Sequence, residues 1–488
     1  MASHGTADSA LAIAASVRSG AVRAREVTAG CLRRIATGNA GLFAFVETFA
    51  ERALARAEDI DRARERGAVL GPLAGVPVAL KDNLLLEGQI AACGSRMLER
   101  FVSPLSSTVA QRLEAAGAVV VGRTNMDEFG MGNSTERSAF GQTRNPWDRA
   151  RVPGGSSGGA AAAVAAGMCP VALGSDTGGS VRQPAALCGV TGLKPTYGRL
   201  SRHGLVAYAS SLDCVGVLAA DAADVALAMA IAGADPADAT SQTAPVPDFP
   251  AALTARTDLA GLRIGCVGEL DAAVTDPELA AAVDAARGEL RALGAELVPV
   301  RLPTIAHAIA AYYLIAAAEA SSNLARYDGV RFGLRADGRT LDEVYARSRS
   351  QGFGAEVQLR ILLGTYALQH GYRDQVYGQA TRVRALLRHD FAAAFAACDL
   401  IACATSPVPP WPLGAMDREP VAMYRCDALT VPASLAGLPA LSLPCGFTAG
   451  NLPIGLQLIG APLREDLLLQ VGHVYQQRTG WHRRRPPP

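Results

Sequence analysis

Lysine is almost missing from this chain. Of its 46 basic residues only Lys81 and Lys194 are lysines; all the others are arginine. Arginine does not give up its proton in a protein, whereas a desolvated lysine can. A lysine kept against that background points to work that arginine cannot do, although two sites missed by compositional drift would look the same. Neither lysine follows a glycine, so the Gly-Lys-Ser/Thr ending of a Walker loop is absent and a nucleotide P-loop is excluded. Net charge is also missing. With 46 basic against 45 acidic residues, the balance of +1 leaves no electrostatic footprint for nucleic acid. Arg483, Arg484 and Arg485 before the proline tail read as a frayed terminus. The ten cysteines form no CxxC pair, which argues against a zinc site and for reduced, buried thiols in the cytoplasm. No apolar run approaches the roughly 20 residues that cross a bilayer. The alanine-rich start lacks a basic n-region and is interrupted by Arg18, so neither a membrane span nor a secretory leader is expected.

What is present is a chain of 488 residues, half of them hydrophobic. Residues 8–37 read as two helices with a turn at Ser19-Gly20, and Thr48 with Glu51 has capping-box spacing at the head of a surface helix reaching Glu65. GVPVAL (75–80) reads as a buried strand that delivers Lys81 at its end. A helix over 107–117 precedes a strand over 118–124, and an Ala-rich helix opening at Ser156 or Ser157 precedes the strand PVALGS. Residues 215–235 read as apolar helix and 235–250 as loop. A strand over 259–268, a helix over 277–293 and the strand AELVPV follow. Helical stretches occupy 305–327 and 353–397, DLIACATSPVPP (399–410) reads as a strand running into a proline-rich loop, and late strands are expected at 429–446 and 453–460. Length alone suggests two or three domains. The unbroken helix–strand alternation without a linker favours one large α/β layered domain over 1–488, built on a wide mixed sheet.

The stretch PGGSSGGAAAAVAAGMCPVALGSDTGGS (153–180) places Ser156 and Ser180 on two glycine frames. Gly-Ser clusters are most often turns. GGSSG also fits the nucleophile elbow Gly-x-Ser-x-Gly, which needs a later acid and histidine. The histidines downstream occupy no obvious active-site turn, and the residues alone leave that reading open. Asp176-Thr177-Gly178 looks like half of an aspartic protease dyad, but no second Asp-Thr/Ser-Gly exists. A serine can instead be activated by a lysine that burial keeps neutral. Lys81 ends an apolar strand, no Ser-x-x-Lys exists, and a second serine could pass the proton between nucleophile and lysine. The glycines before Ser180 would let backbone N–H groups approach an oxyanion.

Those segments resemble the amidase signature family. Residues 153–213 look like its signature, and GVPVALKDN (75–83) looks like its lysine segment. The resemblance implies a single α/β/α layered fold with a mixed central sheet, and a Ser–Ser–Lys triad with Ser180 as nucleophile, Ser156 (in a cis peptide) as bridge and Lys81 as base. The amides of Thr177, Gly178 and Gly179 would form the oxyanion hole, and Lys194 would have only a structural hydrogen-bonding role. Within the family, residues 124–148, 319–333, 359–377 and 427–446 resemble the glutamine-hydrolysing A subunits of aspartyl/glutamyl-tRNA amidotransferases. That implies Arg360 and Asp427 as holders of the glutamine carboxylate and amino groups, with Tyr312 as the favoured tyrosine of Ala311-Tyr312-Tyr313. The signature core would span about 75–215, and 300–460 would complete the substrate site. The resemblance implies no metal and no cofactor in this chain. It implies ATP and Mg in a partner subunit, partner subunits B and C in a heterotrimer, tRNA bound mainly through B, and transfer of the ammonia to Glu-tRNA(Gln) or Asp-tRNA(Asn). Three departures stand out: Arg137 where asparagine is commoner, Ser106 where aspartate is commoner, and 216–226 without the usual Thr-Arg-Thr. A stand-alone amidase of small aryl or aliphatic amides would use the same triad, and a silent scaffold would not need it.

Overall fold

The computed structural model describes residues 9–416 and 420–487. The ends of the expected domain range, at 1–8 and 488, and residues 417–419 lie outside them. Among the described residues eleven strands form one mixed sheet. In chain order they are β1 (Phe45–Thr48), β2 (Pro77–Lys81), β3 (Val119–Thr124), β4 (Val171–Asp176), β5 (Thr191–Lys194), β6 (Cys214–Ala219), β7 (Arg263–Val267), β8 (Glu296–Val300), β9 (Leu400–Ala404), β10 (Ala440–Phe447) and β11 (Pro453–Gly460). Across the sheet the order is β1-β3-β2-β4-β6-β5-β10-β11-β9-β7-β8. β2 runs parallel to both β3 and β4, β4 runs antiparallel to β6, and β10 runs antiparallel to β5 and β11. β2, β4, β6, β9 and β11 are buried at every residue, which requires cover on both faces of the sheet. The edge strands β1 and β8 are only partly buried, as edges are.

Sequence patterning and structure part in four places. Thr48 is the last residue of β1, paired with Gly122. The helix Ala50–Glu65 follows Phe49 with no side-chain cap, so the capping box does not form. The apolar run from Cys214 is a strand between β4 and β5, and a helix begins only at Ala222, where Asp221 caps it through the Asp224 N–H. A short fully buried apolar run carries no period with which to separate strand from helix. In 429–446 only β10 is extended. Val431–Ala436 is helical, with Pro432 in its first turn and left-handed Gly437 ending it, the positions where those residues favour helix termini. The long stretch 353–397 is two helices, Ala355–Ala367 and Tyr377–Ala397, separated by turns around Gly371, and a further helix spans Leu341–Gly352.

Candidate active site

β2 and β4 are adjacent and parallel, with Leu80 beside Leu173, so their C-terminal ends bring Lys81 next to Ser175. Lys81 is fully buried. Its Nζ donates to Ser156 Oγ at 2.8 Å, Ser175 Oγ at 2.9 Å and the Ser175 carbonyl at 3.3 Å. Asn83 Nδ2 donates to the same Ser175 hydroxyl at 3.0 Å. Burial pulls the Lys81 ammonium down to about 7, although the Asp127, Asp176 and Asp213 carboxylates oppose the shift. A substantial neutral fraction near neutral pH is what a lysine base requires.

The two serine frames are laced together. The Ser157 N–H donates to the Ser180 carbonyl at 3.0 Å, and the Ser157 hydroxyl donates to the Ser175 carbonyl at 3.1 Å. Gln183 ties both frames: its Oε1 accepts from the Gly155 N–H at 2.9 Å, and its own backbone N–H donates to the Gly179 carbonyl at 2.8 Å. The Gly155–Ser156 peptide is cis. Ser157 is the N-cap residue of the helix Gly158–Ala165. Ser180 is nearly buried, and its hydroxyl makes no hydrogen bond among the described residues.

Asp176 is no protease carboxylate. Arg182 grips it with two N–H groups, Nη2 to Oδ1 at 2.9 Å and Nε to Oδ2 at 3.0 Å, with both side chains fully buried. Burial alone would raise this carboxyl; the arginine outweighs it and holds the group below its usual range. Arg182 is itself saturated by the Thr430 carbonyl, Gln457 Oε1 and Ser434 Oγ. Asp176 then accepts from the Val181 N–H at 3.1 Å and so closes the loop 176–181. Within that loop no group among the described residues accepts from the N–H of Gly178 or Gly179. Both glycines are sterically required. A Cβ on Gly178 would lie 2.5 Å from the Tyr312 phenol, and Gly179, at φ +145°, would drive one into Thr430 Oγ1. Thr177 is pinned by its hydroxyl to Asp213 Oδ1 at 2.7 Å.

Thr430 links this loop to the second half of the site: its hydroxyl donates to the Gly178 carbonyl at 2.6 Å, and its N–H donates to the Asp427 carbonyl at 3.1 Å. The Asp427 carboxylate accepts from Tyr313 OH at 2.7 Å and Asn133 Nδ2 at 3.3 Å. Burial pushes its carboxyl up to about 6, against those two donors and Arg360. Arg360, on the helix Ala355–Ala367, donates through Nε to Glu356 at 2.8 Å and through Nη1 to Tyr208 OH at 2.5 Å. Its guanidinium sits 5.1 Å from the Tyr313 ring centroid, with Tyr208 and Tyr424 on other sides. Tyr312 packs on the Gly178 backbone, while its neighbour Tyr313 is the one that reaches Asp427. Arg137, one of the three departures, lies 3.7 Å from the Glu356 carboxylate, beside the partner of Arg360. Ser106 accepts from the Glu87 N–H at 3.0 Å and touches none of these groups. Lys194 is buried and donates to the Pro195 carbonyl at 3.0 Å.

Sequence reasoning passed over Ser175, Asn83, Tyr208 and Glu356, and favoured Tyr312 over its neighbour Tyr313. Asn83 stands two residues after Lys81 and Ser175 immediately before the Asp-Thr-Gly motif, so both had a positional signal. Glu356 lies one turn before Arg360 on the same helix, whereas Tyr208 and Tyr313 reach Arg360 and Asp427 across 152 and 114 residues and had no local signal. Among the described residues no histidine hydrogen-bonds to Ser156, Ser157 or Ser180, which removes the support for a histidine-based elbow.

A buried lysine on one serine, and a second serine beside unpaired backbone N–H groups, is the arrangement that acyl transfer of the serine–lysine type requires. The chain belongs to the amidase family, whose pattern, described as Amidase, matches residues 26–469. It is 55% identical over 473 residues to the A subunit of glutamyl-tRNA(Gln) amidotransferase from Synechococcus sp. (strain CC9605), covering 96% of each chain. The crystal structure of the glutamyl-tRNA(Gln) amidotransferase A subunit from Thermotoga maritima matches it with a TM-score of 0.77 at 39% identity, over 93% of this chain and 91% of that one. The native peptide amidase from Stenotrophomonas maltophilia matches with a TM-score of 0.83 at 34% identity, over 98% of both chains.

Proposed function

We propose that this chain is the glutamine-hydrolysing subunit of a tRNA-dependent amidotransferase, acting as one amidase domain whose core at 75–215 is completed by 300–460. One observation carries the reading. Arg360 and Asp427, two buried opposite charges, flank Tyr313 and connect through Thr430 to the loop that bears Ser180. A planar guanidinium suits a carboxylate and a buried carboxylate suits an ammonium, so the pair fits the zwitterionic head of glutamine, with its side-chain amide extended toward Ser180. A neutral amide would have no use for either charge.

In this reading Ser180 Oγ attacks the amide carbon while its proton passes to Ser156 and the Ser156 proton passes to neutral Lys81. The N–H groups of Thr177, Gly178 and Gly179 hold the oxyanion. Collapse breaks the C–N bond, Lys81 returns the proton through Ser156 to the leaving nitrogen, and ammonia departs. Water then attacks the glutamyl ester by the same proton route and frees Ser180 and glutamate. Tyr312, packed on Gly178, bounds the space in which the amide lies. The ammonia passes to partner subunits B and C in a cytoplasmic heterotrimer, where B binds tRNA and uses ATP and Mg to convert Glu-tRNA(Gln) or Asp-tRNA(Asn) to Gln-tRNA(Gln) or Asn-tRNA(Asn). This chain contributes no cofactor or metal of its own. The relatives named above as amidotransferase subunits support the reading; the peptide amidase likeness supports a second, a stand-alone amidase with the same triad. Arg360→Ala separates the two. For a glutaminase it abolishes glutamine turnover and leaves Ser180-dependent hydrolysis of a simple amide measurable. For a stand-alone amidase it leaves the preferred substrate's turnover unchanged.

A further inference from the structure

Glu128 is a buried carboxylate that no step of the proposed reaction uses. It belongs to the loop 127–131, which lies beside the serines. The Asp127 N–H donates to the Ser156 carbonyl at 3.3 Å, and a Cβ on Gly130 would lie 3.6 Å from Ser156 Oγ. Asp127 stiffens the loop by accepting from the N–H groups of Thr135 and Ser134 at 2.9 and 3.2 Å. From this loop Glu128 reaches the helix Ala355–Ala367, which carries Glu356 and Arg360. Its Oε2 accepts from the Gly354 N–H at 2.9 Å, and its Oε1 accepts from the Ser95 hydroxyl at 2.5 Å. Gly354 is the N-cap of that helix and has no side chain with which to cap it. In a capping box the N–H of the N-cap residue is taken by a carboxylate three residues further on. Here that position is the fully buried Val357, and Glu128, 226 positions earlier, takes the N–H instead. Its charge also faces the positive end of the helix dipole. The fit is close, since a Cβ on Gly354 would lie 2.4 Å from Oε2. Toward the other end, the Gly364 backbone packs against the Ala317 carbonyl oxygen. Arg360 stands between these two holds, about 9 Å along the axis from Gly354 and about 6 Å from Gly364.

We propose that Glu128 is a positioning residue for the substrate carboxylate. Capping the helix from a distant loop, it sets where Arg360 stands relative to Ser156. It thereby fixes the reach between the clamped head of glutamine and the serines that cut its amide. The inference rests on the glutaminase reading and adds to it a residue that touches no substrate. Among the described residues Glu128 makes no hydrogen bond to Lys81, Ser156 or Ser180, so its role is geometry and not proton transfer. Glutamine at this position preserves that geometry. Its amide oxygen accepts from the Gly354 N–H and its amide nitrogen donates to Ser95 Oγ, whose own proton has the Gly352 carbonyl at 3.1 Å.

The test compares wild type with Glu128→Ala, Glu128→Gln, Gly354→Ala and the double variant Glu128→Ala/Gly354→Ala, each co-expressed with subunits B and C. Initial rates of ammonia release are taken against L-glutamine and against 4-aminobutanamide, which is glutamine without its carboxylate. Glu128→Ala should raise KM for glutamine about tenfold or more, keep kcat within about threefold of wild type, and leave kcat/KM for 4-aminobutanamide unchanged. Glu128→Gln should keep KM within about threefold of wild type. Gly354→Ala changes an exposed residue, displaces Oε2 and should also raise KM for glutamine. In the double variant KM should rise no further than in Glu128→Ala, because the contact is already gone. The Phe129 and Phe353 rings, with centroids 5.7 Å apart, keep the loop and the helix start docked in every variant. Should Glu128→Ala fail to fold, Gly354→Ala carries the test. A wild-type KM in Glu128→Ala or Gly354→Ala, Glu128→Gln as impaired as Glu128→Ala, additive rises in the double variant, or equal losses on both substrates each overturns the proposal. The glutaminase reading fails separately, if the wild-type assembly releases no Ser180-dependent ammonia from glutamine.

Discussion

The acid limb of the rate profile should belong to Lys81. Its ammonium is fully buried and held down to about 7, and on the proposed route only the neutral form could take a proton leaving Ser180 through Ser156. With that value the neutral fraction is about 0.9 at pH 8, ~0.09 at pH 6 and ~0.01 at pH 5, so kcat should fall about tenfold from pH 8 to 6 and about ninetyfold from pH 8 to 5. An unperturbed lysine would behave differently, with kcat climbing about tenfold per pH unit up to pH 9 and levelling off only above about pH 10.4. The sign follows from burial: desolvation disfavours the charged form, so the folded protein releases this proton earlier than the unfolded chain does. Asp427 titrates nearby, pushed up to about 6, but in the proposed site its protonation would remove the acceptor of the substrate ammonium and should raise KM. The two groups separate if initial rates of ammonia release are taken across glutamine concentration at each pH. A simple amide without an α-amino group should keep the kcat limb and lose the KM limb. Lys81→Arg, whose guanidinium stays charged, should lower kcat by about 10⁴ at pH 8 and abolish this limb. A kcat flat between pH 5 and 8, or rising past pH 9, would refute Lys81 as the base.

Three further outcomes follow from contacts in the site. Gly178→Ala places a methyl 2.5 Å from the Tyr312 phenol and should cost about 10²–10³ in kcat by displacing the oxyanion N–H; adding Tyr312→Ala should recover part of it, and no recovery would count against steric displacement. Tyr313→Phe deletes the 2.7 Å donor to Asp427 and should raise KM for glutamine by about tenfold or more, with kcat nearly unchanged; an unaltered KM would remove Tyr313 from substrate binding. Arg182→Met leaves Asp176 charged and unpaired in the core and should cost about 3–5 kcal/mol in urea unfolding; a loss below about 1 kcal/mol would show that the pair is not the anchor of the loop.

Much of the site was legible because its chemistry is unusual in composition and local in sequence. Lys81 stood out as one of two lysines at the end of an apolar run, and Ser156 and Ser180 stood out on glycine frames; the structure brings Lys81 and Ser156 to 2.8 Å. The choice of Tyr312 over Tyr313 could not be made from sequence. Adjacent helical residues point about 100° apart, and which one meets Asp427 depends on how the helix Ala308–Asn323 is rotated against a residue 114 positions away. The strand β6 was hidden for a different reason. A strand buried on both faces loses the period-2 alternation that identifies a half-buried one, and its apolar run then merges with the helix after Asp221. Arg360 has no local signature among 44 arginines, and only its burial between three tyrosines and Glu356 sets it apart.

Ammonia release from L-glutamine, with Ser180→Ala as the blank, bears most directly on the function. It should be run on the chain alone and with subunits B and C, ATP and Glu-tRNA(Gln). The glutaminase reading predicts release that vanishes in the Ser180→Ala variant and rises when partners and acceptor are present. Release that persists in the variant, or no glutamine turnover alongside Ser180-dependent hydrolysis of a simple amide, would contradict it.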